Sequence, residues 1–80
     1  MELTKKEREL LLQVAYDNET GNHLLGRKRS DEYWQMRKEW AEAAKAESPT
    51  EKQTMILEYV HQCTDYAYYH SLPADKRLTL

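Results

Sequence analysis

Residues 48–72 read SPTEKQTMILEYVHQCTDYAYYHSL, and the spacing of their apolar side chains decides the fold class. Ile56, Tyr59, Val60, Cys63, Ala67 and His70 recur at steps of three and four, the separation that stacks side chains on one face of an α-helix. Ser48 and Glu51 have the spacing of a capping box, in which the hydroxyl accepts from an amide one turn in and the carboxylate accepts from the Ser amide. Pro49 then falls at the first helical position, where a missing N–H is no loss. Pro73 stops the pattern. The stretch predicts a helix over 49–72, about 35 Å long at about 1.5 Å per residue.

Upstream, Thr4 and Glu7 form a second capping box, followed by a helix over 5–18 with Leu3, Leu10, Leu11, Val14 and Ala15 on one side. Leu12 and Tyr16 project toward the opposite side. A helix apolar around most of its circumference needs neighbours on more than one side. The plainer reading packs this helix between the other two and under the following loop; the sharper one has Leu12 and Tyr16 meet a second copy of the chain, and makes them the candidate self-association residues. Asp17-Asn18-Glu19-Thr20-Gly21 has turn chemistry, with Gly21 able to adopt the left-handed conformation that closes a helix. Asn22 is read as the cap of a short turn that lets Leu24 and Leu25 plug the core before Gly26.

Ser30 followed by Asp31 and Glu32 starts a helix over 31–46, its acids favourably placed for the dipole. Tyr33, Met36, Trp40, Ala43 and Ala44 form its buried stripe, and Trp34 flanks it. The short connection near residues 47–49 makes the second and third helices an antiparallel hairpin. The expected fold is all-α: a small three-helix bundle built on that long hairpin, in a single domain over 1–72. Residues 73–80 are expected to form an extended or flexible tail, with Leu78 and Leu80 as anchors.

Composition narrows the function. A domain of 80 residues buries only about 60 to 65% of its unfolded surface, so its core is marginal and self-association is a natural source of extra stability. Cys63 is the sole cysteine and sits on the apolar stripe, which suits a reduced, buried thiol. With 12 basic and 14 acidic residues the net charge is −2, too balanced to attract nucleic acid or anionic lipid over the whole surface. No apolar run reaches the roughly 20 residues that span a bilayer, and no signal-peptide pattern opens the chain. A soluble cytoplasmic protein is expected.

Glu58, His61 and Asp65 share a helical face, and Glu-x-x-His is the spacing used in carboxylate-bridged di-iron bundles. These residues point away from the Ile56, Val60 and Cys63 stripe, so a solvated polar face is expected in place of a metal site, and no cofactor is assigned. Arg27, Lys28 and Arg29 form the one dense basic run, suited to phosphate contacts. The first helix, with Leu3, Thr4, Glu7, Leu10, Leu11, Val14 and Ala15, resembles the opening helix of helix-turn-helix domains, which implies a small DNA-binding regulator. The resemblance stops at the turn, where residues 20–26 supply no recognition-helix pattern. No Ser-His-Asp arrangement or glycine-rich phosphate loop is recognisable, so no catalytic residue is assigned.

The aromatic residues are the remaining signal. Among six Tyr and two Trp, Tyr59 and Tyr66 are expected on the buried side, whereas Trp34, Tyr68 and Tyr69 fall at or beyond the edge of their stripes. Exposed aromatic side chains of this kind are enriched at protein interfaces. The sequence thus points to a non-catalytic protein-interaction module, an adaptor, regulator or inhibitor that forms a homodimer and docks a protein target through Trp34, Tyr68 and Tyr69.

Overall fold

In the computed structural model, which describes residues 2–21 and 28–78, three long helices each begin on a hydroxyl cap. They are α1 (Lys5–Thr20), α2 (Asp31–Lys45) and α3 (Glu51–Thr64). The Thr4 hydroxyl accepts from the Glu7 amide at 3.0 Å, and the Glu7 carboxylate accepts from the Thr4 amide at 2.9 Å. Ser30 accepts from the Tyr33 amide at 3.1 Å. At α3 the reciprocal pair is Thr50 and Gln53, at 3.1 and 2.9 Å, two residues later than the expected Ser48 and Glu51. Either frame would pair one N-cap amide and one amide a turn further in; the observed one pairs those of Thr50 and Gln53. The observed one puts Lys52 in the first turn, where it bonds Glu7 of α1 at 2.7 Å and reaches Glu39 of α2 at 3.6 Å.

α1 runs through Thr20 and closes at Gly21, whose φ of 72° is left-handed and whose amide donates to the Asp17 carbonyl at 2.7 Å. Any side chain at this position would strain the backbone. The expected plug at Asn22, Leu24 and Leu25 lies outside the described residues, as does Leu80.

The three long helices pack pairwise into an all-α bundle. Its core joins Leu3, Leu10, Leu11, Val14 and Ala15 to Tyr33 and Met36 of α2 and to Ile56, Tyr59 and Val60 of α3. Trp40, Met55, Cys63 and Leu78 pack around it. Ala43 is buried as its spacing implies, but Ala44 is exposed, which narrows the α2 stripe.

The third helix departs most from expectation. It ends at Thr64, and a short α4 (Tyr66–Ser71) follows after one extended residue, Asp65, with φ −122° and ψ 97°. Asp65 serves both helices: its amide donates to the His61 carbonyl, and its carboxylate accepts from the Tyr68 amide at 2.9 Å. The change of direction takes Ala67 and His70 off the stripe into solvent and leaves Tyr66, expected to be buried, 79% exposed.

Residues 73–78, expected to be extended or flexible, make a 3-10 turn (Ala74–Lys76) and return to α3. There the buried Gln62 amide donates to the Lys76 carbonyl at 3.2 Å, and its oxygen accepts from the Leu78 amide at 2.9 Å. A primary amide holds two backbone groups much as a neighbouring strand would, which satisfies Gln62 and anchors Leu78. No helix among the described residues is long and apolar enough to cross a membrane.

The cap assignment predicts that Thr50→Ala destabilises the fold by about 1 kcal/mol, a shift of roughly 4 to 8 °C in thermal midpoint, whereas Ser48→Ala changes it by only a few tenths of a kcal/mol. Thermal denaturation followed by circular dichroism separates the two frames.

Candidate functional site

Asp17, read from sequence as part of a polar turn, is fully buried at the C-terminal end of α1. A carboxylate removed from water needs charged or hydrogen-bonding partners, and it has both. Arg29 grips it with two parallel bonds, Nε to Oδ2 at 3.0 Å and Nη2 to Oδ1 at 2.7 Å. The Tyr33 hydroxyl donates to Oδ2 at 2.8 Å and itself accepts from Arg37 Nη1 at 3.2 Å. The paired fork geometry is the strongest form of this contact. Burial, and then the bond to Asp17, pushes the Tyr33 phenol up, while the same carboxylate raises the Arg29 guanidinium. The network joins the end of α1 to the approach and first turn of α2.

This arrangement alters the expected basic patch. Arg29 is bound bidentately to Asp17 and is not free to hold a phosphate. Lys28 is exposed, and Arg27 lies outside the described residues.

A second polar cluster occupies the join of α3 and α4. The Tyr68 hydroxyl donates to both oxygens of Glu58, at 2.8 Å to Oε2, and the bond to Glu58 pushes the phenol up. The His61 ring stacks on Tyr68 with centroids 3.7 Å apart and planes 4° from parallel, while its Nε2 lies 3.5 Å from Asp65. Glu58, His61 and Asp65 thus each face a partner within the chain. Among the described residues no group of three or more His, Cys, Asp or Glu is arranged to hold a metal ion.

Tyr69 is similarly engaged: its hydroxyl donates to the Leu78 carbonyl at 3.0 Å and Arg77 lies over its ring. Tyr68 and Tyr69, expected as docking residues, are half-buried and hold α4 and the tail in place. Their roles follow from the break at Asp65, which periodicity does not reveal. Cys63 is a half-buried free thiol, and burial pushes its pKa up, against the nucleophilic form.

Other apolar surface stays outside. Trp34 is 46% exposed and meets Tyr33 edge-on, Leu12 is 47% exposed and Tyr16 55%. An open cleft of about 430 Å³ places the apolar Leu3, Met55, Tyr59 and Leu78 beside Arg8 and Glu58. That volume lies at the low end of small-molecule sites, and the chain's own tail forms one side. No family model, no curated protein and no solved structure matches this chain.

Asp17→Asn removes the counterion of Arg29 and destabilises the fold by about 3 kcal/mol; Tyr33→Phe deletes one bond to a charged acceptor and costs about 2 kcal/mol, both read from urea denaturation. For Glu7, the Lys52 ammonium and then the Thr4 amide lower its pKa in the folded chain. Its contribution to stability is complete above the ordinary carboxyl value of about 4.3 and is lost as pH falls through the depressed folded value. Glu7→Gln keeps a capping group while removing the charge, so this variant's stability should fall less steeply with acid than the parent's.

Proposed function

We propose that this chain is a non-catalytic protein-interaction module, a small adaptor, regulator or inhibitor that docks a protein target and also self-associates. The observation that carries the reading is the exposure of the Trp34 indole on a bundle whose buried polar side chains, among the described residues, are all paired. A half-exposed indole beside a fully buried Tyr33 offers a rigid apolar anchor whose N–H can still find a partner. Lys38 and Glu42, exposed on the same helix, give a mixed-charge surrounding suited to steering and register more than to affinity. Leu12 and Tyr16 of α1 supply the self-association surface, separate in sequence from the Trp34 anchor.

Tyr68 and Tyr69 act in this reading as supports for α4 and the tail, so the anchor on the target side is Trp34. Affinity capture from the native host with the parent chain and with Trp34→Ala as paired baits tests it. The expected result is one protein retained by the parent and reduced about tenfold or more with Trp34→Ala, with unchanged helicity. Equal retention by both baits, or loss of helicity in the variant, contradicts the assignment.

A further inference from the structure

The outer face of α1 carries Lys5, Glu9, Leu12, Tyr16 and Glu19, all exposed, at steps of four and three. That is a heptad stripe on the side of the helix opposite Leu11 and Val14, which are fully buried. None of Lys5, Glu9 and Glu19 has an ion-pair partner among the described residues. The charges on this stripe are asymmetric along the helix: basic at the start, acidic in the middle and at the end.

We propose that this face pairs with the same face of a second copy in an antiparallel, two-fold arrangement whose axis passes beside Leu12. The proposal rests on the self-association part of the functional reading and gives it a geometry. A two-fold axis at Leu12 brings each residue seven positions before it opposite one seven positions after it. Lys5 then meets Glu19 of the second copy, twice over, and Leu12 meets Leu12. Tyr16 lies beside the Arg8 and Glu9 turn, where its hydroxyl has a carboxylate to donate to and its ring has aliphatic stems to cover.

The rival alignments of the same stripe are worse. A parallel pair in register sets Lys5 against Lys5, Glu9 against Glu9 and Glu19 against Glu19. An antiparallel pair shifted to match Leu12 with Tyr16 sets Glu9 against Glu19. Like charges placed opposite each other oppose association, so the Leu12-centred antiparallel pairing is the one that joins apolar contact to charge complementarity. One helix face is a small interface, which places the contact in the weak, reversible class.

The test is the mass of the intact chain by sedimentation equilibrium from micromolar to millimolar concentration, with circular dichroism as the check on folding. The parent should move from 9.6 kDa toward twice that mass. Lys5→Glu and Glu19→Lys should each weaken association about tenfold, because both symmetry-related pairs become repulsive, and the double variant should recover most of the loss. Leu12→Glu should be monomeric throughout. A parent chain that stays at 9.6 kDa overturns the pairing. A dimer that survives Leu12→Glu overturns it by placing the contact elsewhere. A dimer lost with Leu12→Glu but not recovered by the charge exchange overturns the antiparallel register while leaving self-association standing. The capture of a target through Trp34 is read independently of all three.

Discussion

The carboxylate of Asp17 is the constraint on which the rest of this structure depends. It is fully buried, and its bonds to Arg29 and Tyr33 cross from α1 to α2. Those bonds set the rotation of both helices about their own axes. With Asp17 turned inward, the preceding Tyr16 is carried about 100° around α1 and outward; with Tyr33 turned inward, Trp34 is carried outward in the same way. The residues available to other molecules are thus fixed by a polar bond in the interior. A helix rotated away from this pairing would leave a buried charge without its partner, at a cost of about 3 to 5 kcal/mol.

The opposite ends of the bundle show the same use of polar side chains in place of extra core. Lys52 bridges α1 and α2 from the first turn of α3, and Gln62 binds the backbone of the tail. A chain this short has few apolar contacts to spend on its third helix and C-terminal segment. Hydrogen bonds with defined partners position them, and no buried side-chain donor or acceptor among the described residues is left unpaired.

Much of the fold was legible because it depends on short-range spacing. The Thr4 and Glu7 box, the Ser30 cap, the left-handed Gly21 and the core residues of α1 and α3 all follow from steps of three or four residues. The start of α3 was ambiguous because Ser48 with Glu51 and Thr50 with Gln53 are locally equivalent, and the choice is made by Lys52 reaching two other helices. The break at Asp65 had a local signal, an Asp three residues before Tyr68, but uninterrupted periodicity masked it. On an unbroken helix Tyr68 and Tyr69 fall at the polar edge, where packing on the tail and contact with a partner are equally open. Asp17 was beyond reach for another reason: its partners lie 12 and 16 residues away, and an acid in a Gly-terminated polar run has no local mark of burial. For Leu12 and Tyr16 wheel geometry gives only a direction, away from the apolar side of α1, and does not say whether another helix, the following loop or a second copy covers them; within the chain they are exposed, as is Trp34.

The most direct test of this account is the Arg29 side chain observed by nitrogen-15 NMR at neutral pH. Held by Asp17 over the Tyr33 ring, its Nε proton should exchange slowly with water, resonate apart from those of the other arginines, and show cross-relaxation to the Tyr33 ring protons. An Arg29 Nε proton that exchanges rapidly, overlaps the solvent-exposed arginines and shows no contact with Tyr33 would contradict the claim that a buried carboxylate orients α1 and α2.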